Sequence, residues 1–218
     1  MLLRRMSPPV IEYEPVIVPL RKPTREASDP EQETYFRWFL EAIPNRIDQL
    51  VKLVNTTPQF EGWLPSKEPD SLHVLGAWLY AVVKTPDLVK IKNDLQKKLD
   101  MLKYTMPYKE SPTVPALALS AAFDTGIYLG EVFRHKCANV EWWLCKTVVE
   151  GGPLGDYGEP VLINFGRAHH MNPVLLVRTA MTLFLTDSVY NGPLRLSPSR
   201  LHELFEHWRK YVPIEDWR

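Results

Sequence analysis

The segment from Ala121 to Gly166 constrains this chain more than any other. It begins as an apolar run that carries Asp124, Tyr128, Glu131 and His135, and offsets of 4, 3 and 4 residues bring all four onto one helical stripe. Two short strand-like segments follow: Val140–Cys145 with its paired tryptophans, and Glu159–Gly166 with its Pro-Val-Leu run. Polar groups aligned within an apolar helix must be satisfied, whether by a core network, a ligand or a partner chain. The fold therefore has to bring partners to that stripe.

Helical patterns dominate the rest of the chain. Residues 1–28 alternate apolar and polar residues but are broken by prolines, which suits an extended N-terminal arm with at most an edge strand. Asp29-Pro30 reads as an N-cap and first-turn proline, and Tyr35, Phe36, Phe39, Leu40 and Ile43 give the apolar period of a first helix. Pro44 is expected to end it and start another running to about Val54. Further helices are expected from Leu72 to Val82, from Leu88 to Leu102, from Ala116 to Arg134, from Val174 to Phe184 and from Leu201 to Tyr211. The Leu88–Leu102 pattern is the most amphipathic, with its lysines on a solvated face, and the Ala116–Arg134 helix, rich in small residues, reads as the hub. The expected fold is mainly α, in the α+β class: an arm over residues 1–28, then a single helical domain over 29–218. It is a bundle with a small antiparallel β element near 140–165. If that strand is regular, one of Trp142 and Trp143 points inward and the other outward.

Composition narrows the function classes. With 218 residues, 45% of them apolar, the chain can bury a substantial core. Lys plus Arg and Asp plus Glu are both 26, so no net positive field draws it to nucleic acid. No apolar run reaches the roughly 18 residues that mark a membrane span, and the N-terminus lacks the apolar core of a secretory signal. A cytoplasmic location is expected, with Cys137 and Cys145 as reduced structural thiols.

The chemistry-bearing residues point away from catalysis. Asp124 and Glu131 are two turns apart, about 10 Å along the axis, farther than paired catalytic carboxylates stand. A structural polar seam of Asp124, Tyr128, Glu131 and Trp142 between the helix and the strands is the expected use of the stripe; a small hydrolase or transferase working through Asp124, Glu131 or His135 is the alternative. No nucleophile elbow, phosphate-binding loop or dinucleotide fingerprint is present, so no cofactor is expected. Adjacent His169 and His170 cannot share a focus on a regular element, and His202 and His207, five apart, miss the i, i+4 metal face. No metal is expected.

Phe60-Glu-Gly-Trp-Leu-Pro-Ser66, Asp70-Ser-Leu-His-Val-Leu-Gly-Ala-Trp-Leu79, Asp124-Thr-Gly-Ile-Tyr-Leu-Gly-Glu131, Trp142-Trp143, Pro160-Val-Leu162 and Asn172-Pro173 together form a recurring pattern. It resembles that of small bacterial cytosolic proteins, some of them similar to immunity proteins encoded beside polymorphic or secreted toxins. The resemblance spans roughly residues 60–180. It implies a mainly helical α+β protein that inhibits a cognate protein toxin by covering its active site. A scaffold subunit of a larger assembly is a further alternative. The expected docking surface is the Gly151–Gly158 loop with the Arg167–Asn172 turn, presenting Asp156, Tyr157, Glu159, Arg167, His169 and His170 from a rigid β base.

Overall fold

The structure is a computed structural model and describes residues 13–84, 116–149, 152–153, 155–166, 170–185 and 196–218. Its helices are α1 (Asp29–Asn55), α2 (Ser71–Lys84), α3 (Ala116–Lys136), α4 (Pro173–Leu185) and α5 (Arg200–Trp208). Among the described residues, four short strands lie between α3 and α4: β1 (Glu141–Leu144), β2 (Val148–Val149), β3 (Gly152–Pro153) and β4 (Pro160–Ile163). The protein is thus mainly helical with a small antiparallel β element. The expected helix from Leu88 to Leu102 lies outside the described residues. Among those residues, no helix is long and apolar enough to cross a membrane.

Helix α1 departs from the sequence expectation at both of its prolines. It begins one residue earlier than the Asp29 cap implied: Ser28 is the N-cap, and the Glu31 carboxylate turns back to accept the Ser28 backbone N–H at 2.7 Å. Pro44 does not divide it, and the helix runs 27 residues through that position. The reason is a single buried stripe, Tyr35, Phe39, Ile43, Ile47, Leu50 and Val54, stepping by three and four across the proline. The missing N–H bond and ring clash cost ~3 kcal/mol. Burying each of those side chains returns about 1.5–3 kcal/mol, and Pro44 itself stands on the exposed face.

Helix α3 is the hub. Every residue from Ala118 to Phe133 is buried, and α1, α2, α4 and α5 pack around it. Small residues permit this closeness. A Cβ on Gly126 would sit 2.5 Å from the Val174 Cα, so the α4 backbone rests directly on α3. After α3, β1 and β4 pair antiparallel with Trp142 opposite Leu162 and Trp143 opposite Val161, and β2 pairs with β3 in a separate two-residue ladder. Leu162 exchanges backbone hydrogen bonds with Met171 at 2.7 and 2.9 Å, which fastens β4 to the start of α4. Of the arm, residues 13–28 form no strand, yet Tyr13, Val16, Val18 and Leu20 are buried against the core. The Val16 N–H donates to the Ser120 hydroxyl at 3.1 Å.

Candidate functional site

The polar stripe of α3 is drawn to different partners at its two ends. Asp124, with no exposed surface, accepts two hydrogen bonds from Arg46 of α1, at 2.7 and 2.6 Å, and one from the Tyr13 hydroxyl at 2.5 Å. Arg46 also donates to Tyr13 at 3.0 Å and to the Glu14 carbonyl at 2.9 Å, so the arm, α1 and α3 meet on one buried carboxylate. Burial pushes the Asp124 carboxyl up to about 6, opposed by the hydrogen bonds and charge of Arg46 and by the Tyr13 hydroxyl. Burial also raises the Tyr13 phenol well above its ordinary range, reinforced by the Asp124 charge. For Arg46, burial works against the charge, but the Asp124 hydrogen bonds hold its pKa above the usual value.

One and two turns further along, Tyr128 and Glu131 bond to other elements. The Tyr128 hydroxyl accepts the Lys67 N–H at 3.0 Å and shares a 2.7 Å hydrogen bond with Ser71, which fixes the loop leading into α2. Glu131 accepts the Trp142 indole N–H at 2.9 Å and pairs with Arg134 at 2.7 Å. The Trp142 indole comes this close to the helix because Gly130 makes room: a Cβ there would come 2.3 Å from the ring. The structure therefore brings Glu131 and Trp142 together between helix and strand, while Asp124 and Tyr128 serve the arm with α1 and the α2 approach. His135, the last of the four, is exposed and stands 3.6 Å from Glu68, whose carboxylate pairs with Lys136 at 2.5 Å. That carboxyl is held below its ordinary range chiefly by the Lys136 hydrogen bond.

Sequence reasoning did not single out Arg46 or Tyr13. The signal was present at Arg46, which falls three residues after Ile43 and beside Ile47 on the buried side of α1, a position where a charge demands a counter-charge.

The expected docking residues are partly committed to internal bonds. Asp156 accepts the Asn172 amide at 3.0 Å and pairs with His170 at 3.2 Å, while the Asn172 side chain accepts the Leu175 N–H at 2.9 Å and caps α4. Glu159 accepts the Thr24 hydroxyl at 2.8 Å, and its carboxyl is raised, mainly by burial. Tyr157 offers its carbonyl to the same hydroxyl at 3.2 Å, and the Lys146 ammonium lies 5.4 Å from its ring centre. Arg167 and His169 lie outside the described residues. On the sheet, Trp142 is buried and Trp143, on the opposite face, is 54% exposed.

Along α5, His202 and His207 do not act together. His207 packs edgewise on Trp208 and Tyr211, and His202 stacks on His73 of α2 with ring centres 3.8 Å apart. Comparison with protein-family models, with curated proteins and with solved structures gives no match.

Proposed function

We propose that this chain acts by binding another protein, and that its partner is a secreted or polymorphic toxin whose active site it covers. What carries the reading is how the polar stripe is spent. Asp124, Tyr128 and Glu131, the groups an acid-base enzyme would need to present, are each committed to holding a neighbouring element of the fold, Asp124 and Tyr128 through two or more bonds and Glu131 through the Trp142 indole. A second face supports it. Trp143 projects outward from a strand whose inner side is anchored by Trp142, and an exposed indole on a rigid base is the residue type most enriched at interface hot spots. The toxin as partner rests on the resemblance of the Tyr-x-Gly-Glu, Trp-Trp and Pro-Val segments to immunity proteins. A complex of this kind buries roughly 1,200–2,000 Å².

Co-expression with the protein encoded beside it tests the reading. Restored growth and a stable complex by size-exclusion chromatography are expected, both weakened by Trp143→Ala. Parallel binding with an Asp156/Tyr157/Glu159 triple alanine variant asks whether the neighbouring loop takes part. Failure to form any complex with that neighbour, or unrelieved toxicity, defeats the proposal.

A further inference from the structure

Asp70, His73 and His202 meet at the junction of α2 and α5. Asp70 is the last residue before α2, and the His73 N–H donates to its carbonyl at 3.1 Å, so one backbone turn holds both side chains close together. His202 arrives from the other helix and stacks on His73 with an interplanar angle of 20°. One donor atom from each of the three lies within 4.8 Å of the others.

The scaffold beneath is rigid. Leu72, Leu75 and Leu79 of α2 and Leu201, Leu204 and Phe205 of α5 are all buried. The two elements also approach closely, since a Cβ on Gly76 would sit 2.5 Å from the Pro198 carbonyl oxygen just before α5. Above that platform the Asp70 and His73 side chains are exposed and His202 is half-buried, so all three can turn about their side-chain torsions.

The donor set is selective by chemistry. Two imidazoles and a carboxylate suit zinc-class first-row ions, whereas magnesium and calcium prefer oxygen-only shells. Metal–nitrogen bonds of about 2.0–2.1 Å place tetrahedral donors about 3.4 Å apart. The donor atoms already lie within 4.8 Å of one another, but an imidazole lone pair lies in its ring plane, so the near-parallel His73 and His202 rings must swing out of their stack about χ1 and χ2 before both point at one ion. We propose that Asp70, His73 and His202 bind one divalent transition-metal ion of the zinc class, clipping α2 to α5 and leaving the fourth coordination position open to water. This site does not depend on the toxin-binding reading.

Isothermal titration of the full chain with zinc chloride tests it, alongside His73→Ala, His202→Ala and Asp70→Asn. His207→Ala serves as a control on the same helix. One ion per chain is expected for the wild type and for the His207 variant, with affinity reduced at least about tenfold in each histidine variant of the cluster, because one of three ligands is gone. Thermal melting of the metal-free variants is expected to stay close to the wild type, since Asp70 and His73 are exposed and His202 is only half-buried. Cobalt substitution in the wild type gives an independent reading: visible bands of four-coordinate nitrogen and oxygen ligation support the site, whereas a thiolate charge-transfer band assigns the ion to cysteine and overturns it. Equal zinc affinity in the wild type and both cluster histidine variants, or no stoichiometric binding at micromolar concentrations, also overturns it.

Discussion

The two ends of the polar stripe on α3 use similar side chains to opposite effect. At Asp124 a carboxylate, a guanidinium and a phenol are sealed from water and joined by short bonds. At the other end Glu68, His135 and Lys136 form a comparable acid-base set at the surface, with the Glu68 side chain 49% exposed. Residue type alone does not separate the two. Solvent does: a buried pair left half-broken costs several kcal/mol, whereas an exposed one is replaced by water at little cost. The closed end is a structural joint, and the open end is free to exchange partners.

The sharpest way to break this contrast is Arg46→Ala. It leaves Asp124 buried beside Tyr13 alone, and chemical denaturation at neutral pH should record a loss of about 3–5 kcal/mol. Acidity should soften the damage. A carboxyl raised to about 6 in the folded chain, against 3.8 unfolded, binds its proton more tightly when folded. Its contribution to stability is therefore full below the unfolded value and is lost as pH rises through about 6. Without the guanidinium the carboxyl should rise further, so the Arg46→Ala deficit should shrink between pH 8 and pH 5. A deficit independent of pH would mean that Asp124 is not the group left exposed to the loss.

Gly130→Ala comes next, because the new methyl meets the Trp142 indole at 2.3 Å. Overpacking of this kind costs about 1–3 kcal/mol, and a shift in tryptophan fluorescence of the native state would show the ring displaced. Tyr128→Phe removes a hydroxyl that serves Lys67 and Ser71 and should cost about 1 kcal/mol. At the open end, Glu68→Ala should leave the denaturation midpoint indistinguishable from that of the wild type. A large loss there would erase the distinction between the two ends.

Much of the architecture was legible because local pattern and tertiary demand agreed. The alternation around Trp142 and Trp143 pointed to a strand with one inward and one outward indole, and the small residues of α3 announced a helix that others could approach closely. Legibility failed where long-range packing overruled a local rule. Pro44 reads as a helix boundary by its chemistry, but the stripe from Tyr35 to Val54 reads as one helix by its period, and burial decides in favour of the period. The side-chain partnerships were least legible. Spacing along α5 dismissed His202 because its only helical neighbour of the same type was at the wrong offset, while the ring that meets it comes from α2. Likewise Asp124 was marked as needing a partner, yet nothing along its own helix could name Arg46, 78 residues away.

The joint at Asp124 also has a history in time. Tyr13 precedes its carboxylate partner by 111 residues. At the roughly 5–20 residues per second of protein synthesis, the phenol waits on the order of ten seconds after its own translation before Asp124 has been added to the chain. Throughout that interval the arm has no interior carboxylate to anchor it. Docking of the arm on that carboxylate therefore waits until α3 has been made, and a chain stalled before α3 presents Tyr13, Val16 and Val18 to whatever else in the cell binds extended apolar segments.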